Sequence, residues 1–310
     1  MRIIEDVRHC DERFSNLVLT IGSFDGVHLG HRRIIENVIA DARERCGTAA
    51  LMTLRPHPRQ FFAPASAPNI LTSDRKKEQL LADAGVDVLY VLPFNADVAG
   101  LDREEFLREI VIGRCGAKKL IVGHDFNFGK GAKGNFEYLR EMAPALGLVV
   151  EQAETLILEG ERVSSTRVRE VILQGELEHA TRLLGRRYSV VGEVITGRAM
   201  GRKLGYPTAN IKPHNNAVPA NGIYVAEAHF DGRRFMAAVN IGIAPTIRHE
   251  DIMIEAYLLD FNEDLVGKTL EIVFHKRLRP EKKFHSLEDL IVAIGDDVTA
   301  TRAYFDATAS

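Results

Sequence analysis

The sequence predicts an α/β chain in two parts, a doubly wound parallel sheet followed by a small antiparallel barrel or sandwich with a terminal helix. Three observations predict this. The 310 residues are 45% apolar, enough for two cores at about 100–200 residues per domain. Up to about residue 152, short β-branched runs alternate with stretches of helical spacing, as in successive βαβ units. After Arg187 the apolar period falls to two, with a hairpin dipeptide at Asp231-Gly232.

Taken in order, residues 16–22, 48–54, 86–92, 119–123 and 148–152 are apolar enough to be strands covered on both faces. Between them, residues 32–46, 74–84, 103–114 and 136–146 space apolar side chains three and four apart and read as helices. A hairpin is expected around Glu159-Gly160-Glu161, then two short helices over 165–184 divided near Gly175. Strands are expected at 188–196, 223–230, 235–241, 253–258 and 269–274, then a helix over 286–305 with Ser286 as N-cap. The change of period sets the domains at 1–186 and 187–310.

Lys and Arg total 40 against 43 Asp and Glu, and each part is balanced by itself: 25 basic and 27 acidic residues before the boundary, 15 and 16 after it. Neither part is a nucleic-acid-binding module by bulk charge, so any anionic ligand must be held by local chemistry. Cys10, Cys46 and Cys115 are widely separated and lack metal-ligand spacing, which reads as reduced thiols of a cytoplasmic protein. The charged N-terminus gives no secretory stretch, and no run approaches the roughly 18 apolar residues of a membrane span. The expectation is a soluble chain with neither membrane nor nucleic-acid partner; its oligomeric state is left open.

The first predicted strand runs into Gly22-Ser-Phe24-Asp-Gly26-Val-His28-Leu-Gly30-His31. Glycines there allow a tight turn, and the helix that follows offers backbone N–H groups and a positive dipole end to an anion. His28 and His31, three apart, can aim at the same phosphate and donate to its oxygens as charge builds; the alternative is a pair of capping or core histidines. Ser164-Ser165-Thr166-Arg-Val-Arg169 places hydroxyls at a predicted helix start with an arginine one turn on, which is either a phosphate clamp or a plain hydroxyl cap. Gly123-His-Asp125-Phe126-Asn-Phe128-Gly129-Lys-Gly131-Ala-Lys-Gly134 suits a planar ligand carrying phosphate, and equally an ordinary surface loop. Pro56-His57-Pro58 stiffens the exit from the second strand.

In the second part, Gly197-Arg198-Ala-Met-Gly201-Arg202-Lys203-Leu-Gly205-Tyr-Pro207-Thr208-Ala-Asn210 spaces glycines at four, which neither helix nor strand uses. It reads as a loop wrapped round a ligand with positive charge supplied to it. Thr208 and Asn210 alternate with Ala209, so in extended chain both polar groups share a face and suit Mg²⁺, unless the segment is a simple turn. Glu255 is out of place in the otherwise apolar Met253-Ile-Glu-Ala-Tyr-Leu-Leu259 and is either a working carboxylate or an edge-strand charge facing water. Glu227 and Glu271 lack a comparable motif and read as surface charges.

The His28-Leu-Gly-His31 segment resembles the signature of nucleotidyltransferases, and Ser164–Arg169 resembles the segment with which those enzymes hold a triphosphate. The run from Gly197 to Asn210 resembles the riboflavin kinase signature. Asn221-Gly-Ile-Tyr224, Asn240-Ile-Gly242, Pro245-Thr246, Glu255–Phe261 and Leu278–Phe284 agree with it. Together the motifs, from about residue 15 to 305, resemble the bifunctional bacterial riboflavin kinase/FMN adenylyltransferases, also called FAD synthetases. The resemblance implies a Rossmann-like nucleotidyltransferase domain and a riboflavin kinase-like β-barrel, taking riboflavin, FMN and ATP, with Mg²⁺. It implies catalytic roles for Glu255, His28 and His31. Nucleotide binding would fall to Gly22, Phe24, Gly26, Ser165, Thr166, Arg169, Gly197, Arg198, Gly201, Lys203, Gly205 and Pro207, flavin contact to Asp125, Phe126 and Phe128, and the metal to Thr208 and Asn210. Ala244 and Ile247 depart from the usual residues and bear on flavin-loop detail. Two rivals remain open: an adenylyltransferase with another acceptor, and a flavin-binding regulator that has lost catalysis.

Overall fold

The computed structural model describes residues 1–197, 201, 204–245 and 250–308, without the side chains of 243–245, 250 and 251. It forms two compact units, Met1–Pro68 with Asp74–Ser164, and Asn69–Ser73 with the chain from Ser165 onward.

The first unit is built on six strands, β1 (Arg2–Ile4), β2 (Val18–Ile21), β3 (Ala49–Arg55), β4 (Val88–Pro93), β5 (Lys119–Val122) and β6 (Val149–Gln152). They lie in the order β1-β4-β3-β2-β5-β6, every neighbouring pair parallel. Successive residues of these strands pack into cores on opposite faces: Leu19, Met52, Tyr90 and Leu120 on one, Val18 and Ile121 or Leu51 and Leu89 on the other. That two-sided burial is why β2 to β5 read as continuous apolar runs, whereas β6, expected to be covered on both faces, is an edge strand with none of its four residues buried and Val149 49% exposed. β1 is not anticipated by the sequence reading, being three residues between charged neighbours. The first helix, Leu29–Glu44, starts three residues earlier than its apolar spacing suggests. Helical turns at Arg103–Glu105 continue as wider π-type turns over Phe106–Arg114, and the helix Phe136–Met142 stops before Pro144, which lacks the N–H to continue it. The expected hairpin is the short pair β7 (Ile157–Leu158) and β8 (Glu161–Arg162).

The second unit contains the helices Ser165–Gln174 and Leu177–Leu184, divided at Gly175 with φ +78°. Its strands are β9 (Ser189–Ile195), β10 (Ala209–Pro213), β11 (Gly222–Phe230), β12 (Arg233–Pro245), β13 (Glu250–Leu258) and β14 (Thr269–Arg279). They close as an antiparallel barrel in the order β10-β13-β12-β11-β14-β9, which settles barrel against sandwich. Asp231 and Gly232 both take positive φ, +48° and +74°, as a two-residue β11–β12 hairpin requires. The terminal helix, Leu287–Thr308, has its start capped by Ser286, whose Oγ accepts from Asp289 N at 3.1 Å, and it lies against β12 and β11. The helix pair belongs with this unit because Leu177–Leu184 packs against β14. The units therefore part at Ser164/Ser165, whereas the change of sequence period lies near 186.

Segment Asn69–Ser73 is built into the second unit by buried polar chemistry. Leu71 O accepts from Tyr188 Oη at 3.1 Å and from Asn215 Nδ2 at 3.1 Å, and Asn215 Nδ2 also donates to Tyr188 Oη at 3.0 Å. Asn215 Oδ1 accepts from Val191 N at 3.1 Å. Asn215 is 1% exposed, so removing it strands several buried polar groups together. Asn215→Ala is expected to destabilise the barrel by about 2–3 kcal/mol, read as a lower urea midpoint for its unfolding.

Candidate active sites

In the first unit, β3 and β4 lie beyond β2 while β6 lies beyond β5, so strand order reverses between the neighbours β2 and β5. Ligands of open α/β sheets bind outside the carboxyl ends of strands at such a reversal. The 22–31 turn leaves the carboxyl end of β2, and the 123–134 loop leaves that of β5.

The 22–31 turn is tightly wound. Phe24, Gly26 and Val27 all take left-handed backbone, with φ +47°, +87° and +40°. For a β-branched valine this conformation is strained, and it persists only where the surroundings over-determine it. Phe24 and Val27 are packed into the core with Ile35, Leu51, Leu80 and Leu81, so Phe24 is a buried wedge whose ring also touches His31, 5.0 Å between centroids. His28 is the N-cap of Leu29–Glu44: its Nδ1 accepts from His31 N at 3.2 Å. In the neutral ring that acceptor role leaves the hydrogen on Nε2. The His28 and His31 rings stack at 3.6 Å between centroids, and His28 is 4% exposed. The spacing of three thus brings both imidazoles together at a helix start, as the sequence suggests. A Cβ on Gly30 would lie 3.2 Å from the His28 ring, so glycine keeps room for it.

The 123–134 loop is an ordered platform. Phe128 and Gly134 exchange backbone hydrogen bonds at 3.0 and 2.9 Å, and a Cβ on Gly134 would fall 2.7 Å from the Phe128 ring. Phe128 is buried against Phe106 and Tyr138 and stacks on Phe126, which is half-buried. Asp125 pairs with Arg162 at 3.0 Å. An aromatic group that the sequence reading missed lies past Pro58: Phe61 and Phe62, 40% and 66% exposed, meet Phe94 edge-on after β3 and β4. Two bare phenyl rings are unusual on a surface without a partner to cover them.

In the barrel, the strand register assembles the second site. Asn210 on β10 and Asn240 on β12 both sit directly opposite Glu255 on β13, so all three project from one face. Ile254, Ala256 and Leu258 fill the interior, which sends Met253, Glu255 and Tyr257 outward into a cavity of about 430 Å³. Tyr206, Phe284 and the terminal helix residues Leu290 and Ile294 also line it. Glu255 is therefore neither a core carboxylate nor a bare edge charge; Asn240 Nδ2 donates to its Oε2 at 3.4 Å. A second cavity of about 440 Å³ is lined by Gly197, Pro207, Phe261 and Val266, and the two cavities share Thr208 and Asn210. Asn210 is buried, and its Oδ1 has no hydrogen-bond partner among the described residues. The glycine spacing has a local cause as well: a Cβ on Gly197 would lie 2.2 Å from Asn210 Nδ2, and one on Gly201 would lie 3.1 Å from Thr208 Oγ1.

Comparison with known proteins matches this arrangement. An FAD synthetase family model covers residues 10–167 and a riboflavin kinase model covers 184–305. Proteins described as bifunctional riboflavin kinase/FMN adenylyltransferase are 37% identical in Pseudomonas fluorescens, over 98% of this chain and 97% of that one, and 34% identical in Haemophilus influenzae, over 99% and 100%. The chain belongs to the bifunctional riboflavin kinase/FMN adenylyltransferase family. A solved structure described as a macrolide-efflux protein from Streptococcus pneumoniae shares 29% identity and a TM-score of 0.83 over 97% of this chain and 98% of its own. No helix among the described residues of this family member is long and apolar enough to cross a membrane.

Seen as a riboflavin kinase/FMN adenylyltransferase, the chain places its remaining expected residues as follows. Ser165 and Thr166 open the helix Ser165–Gln174, and Arg169, in its second turn, donates from Nε to Asn69 O at 2.6 Å. Gly205 takes φ +86° beyond the Gly201 turn. Arg198, Arg202, Lys203, Thr246 and Ile247 lie outside the described residues, as does the side chain of Ala244. Glu227 is not a simple surface charge: it is half-buried, with its Oε2 3.0 Å from His229 Nε2 and 3.5 Å from His275 Nε2. Asn240 is a residue of the candidate barrel site that sequence reasoning left without a role, and the register of β12 against Glu255 reveals it.

Proposed function

We infer that this chain phosphorylates riboflavin to FMN in its barrel unit and adenylylates FMN to FAD in its parallel-sheet unit, using ATP in both steps. The observation that carries the kinase half is the meeting of two cavities at Thr208 and Asn210, beside the carboxylate of Glu255. The aromatic cavity suits the planar flavin; the cavity at Gly197 and Pro207 suits the nucleotide. A ribityl hydroxyl and a γ-phosphate then meet at the shared wall. Glu255 takes the hydroxyl proton as that oxygen attacks phosphorus and ADP leaves, and Asn240 holds the carboxylate in place. The functional division is proposed at residues 186 and 187, supported by the extents of the two family models.

Thr208 and Asn210 fit a bound Mg²⁺. A buried amide oxygen with no donor is a ready hard ligand, and the neighbouring hydroxyl completes an oxygen pair. When bound, the ion would neutralise charge on the transferring phosphates. Gly197 keeps Asn210 in position, so Gly197→Ala is expected to raise the Mg²⁺ concentration for half-maximal kinase rate by about tenfold, with adenylylation unchanged. A Mg²⁺ titration of both half-reactions measures it.

Adenylylation places different demands on its site. The FMN phosphate is already ionised near neutral pH and needs no base. Its oxygen attacks the α-phosphorus of ATP, and the bond to pyrophosphate breaks. His28 Nε2–H, His31 and the helix start are proposed to stabilise the developing negative charge, with Gly22 and Gly26 letting backbone approach the phosphates. Ser165, Thr166 and Arg169 are proposed to hold the triphosphate, and Asp125 and Phe126 to face the flavin, with the buried Phe128 ring stacked against Phe126 as its support. The test is incubation of the purified chain with riboflavin, ATP and Mg²⁺, followed by chromatography. FMN and then FAD are expected. FMN that accumulates without FAD would remove the assignment of the first unit.

A further inference from the structure

The barrel cavity at Gly197 and Pro207 owes one wall to the loop between β13 and β14, whose residues 261–266 line it. Backbone bonds fix that loop at its two ends: Leu259 N donates to Met236 O and Gly267 N to Val194 O, each at 2.8 Å. Two arginines grip it between those points. Asp260, with φ +58°, accepts from Nη1 and Nη2 of Arg302 on the terminal helix at 2.8 and 2.7 Å. Three residues on, Glu263 accepts from Nη1 and Nη2 of Arg233 at 2.8 and 3.0 Å. Arg233 opens β12, opposite Phe230 across the β11–β12 hairpin. Its guanidinium lies 5.1 Å from the ring centroid of Phe235, 5.8 Å from that of Phe230 and 6.0 Å from that of Phe261. The Phe235 and Phe261 rings meet edge-on at 4.9 Å. One planar cation therefore forks onto the loop's carboxylate and lies over one of the loop's rings.

We propose that Arg233 is a positioning residue for riboflavin phosphorylation: by gripping Glu263 and Phe261 together it keeps the β13–β14 loop against the cavity and so sets the affinity for ATP. The inference rests on the reading of that cavity as the nucleotide site. Arg233 stands behind the wall, not in it, and acts through the two loop residues that line it. Arg302 cannot replace it, because Arg302 holds Asp260, ahead of the lining residues. The pair also neutralises Glu263, a carboxylate that would otherwise repel a triphosphate from the wall of its own site. With Arg233 and Glu263 both about half exposed, the bond contributes little to the stability of the fold. Its effect falls instead on how much of the protein has the loop in place, and apparent affinity scales with that fraction.

Initial rates of FMN plus FAD formation against Mg-ATP, at saturating riboflavin, test this role. Arg233→Met is expected to raise the KM for ATP about five- to tenfold, with kcat, the KM for riboflavin and the adenylylation of supplied FMN unchanged. Glu263→Ala is expected to raise it by less. The double variant is expected to be no worse than Arg233→Met, since both side chains act through one bond. Losses that add would overturn the proposal, because Arg233 would then meet the nucleotide independently of Glu263. A lower kcat with the KM for ATP unchanged would overturn it too, showing that Arg233 only supports the fold, as would kinetics like those of the wild type. Val266→Glu places a carboxylate at the exposed edge of the same cavity. If that variant keeps the wild-type KM for ATP, the reading of the cavity itself fails, a result separable from failure of Arg233 alone.

Discussion

Glu255→Gln is expected to slow riboflavin phosphorylation by about 10²–10⁴-fold while the same protein still converts supplied FMN to FAD. The ribityl hydroxyl is essentially un-ionised at neutral pH, so its attack on phosphorus needs a base within reach. Glutamine matches glutamate in size and keeps a group beside Asn240, but it cannot accept the proton. The cavity wall formed by Tyr206, Met253, Tyr257 and Phe284 is untouched, so the KM for riboflavin is expected to stay close to its wild-type value and the loss to fall on kcat. Chromatography of riboflavin, FMN and FAD after incubation with Mg-ATP measures both steps at once. Phosphorylation at the wild-type rate would mean that Glu255 is not the base.

The converse result is expected for His28. His28→Ala should suppress FAD formation by about 10²–10³-fold and leave FMN formation intact. Alanine removes two things, the Nε2 donor and the N-cap that accepts from His31 N. The cap alone is worth about 1 kcal/mol. His28→Asn separates these contributions, because asparagine caps a helix well and offers no imidazole. If the ring is what matters, the two variants are equally slow; if the cap is what matters, His28→Asn recovers the rate. Stopped assays with FMN and ATP decide between them.

The inner strands β2 to β5 were legible because they are buried on both faces, which leaves long apolar runs, and because each run leads to a glycine or a helix start; the edge strand β6, with no buried residue, was legible from its apolar residues although it is not covered on both faces. β1 was not, since three residues flanked by charge carry no period. β10 was masked by the glycine loop that leads into it, although the extended alternation of Thr208 and Asn210 was readable. The histidine pair was legible as a spacing, and the stacking of the rings follows from placing residues three apart on a first helical turn. Asn240 and the Tyr206–Tyr257–Phe284 wall depend on which strands become neighbours, and no local pattern encodes that. Phe128 shows the opposite limit: its loop suited a planar ligand carrying phosphate or an ordinary surface loop, and the ring is packed among Phe106 and Tyr138, because composition does not say which side of a loop faces the core.

The bond between Asn215 and Leu71 spans 144 positions of the chain. During synthesis at about 5–20 residues per second, Leu71 is therefore incorporated roughly 7–30 s before its partner. Through that interval Asn69–Ser73 has no barrel to join, while Asp74–Ser164, the stretch that follows it, is already being translated. The last contacts of the barrel must then close over a long intervening loop, an entropic cost that grows only slowly with length but delays completion. Ribosome-bound chains ending before residue 215 are consequently the stage at which nascent-chain proteolysis should find residues 69–73 open, and full-length release the stage at which that cleavage stops.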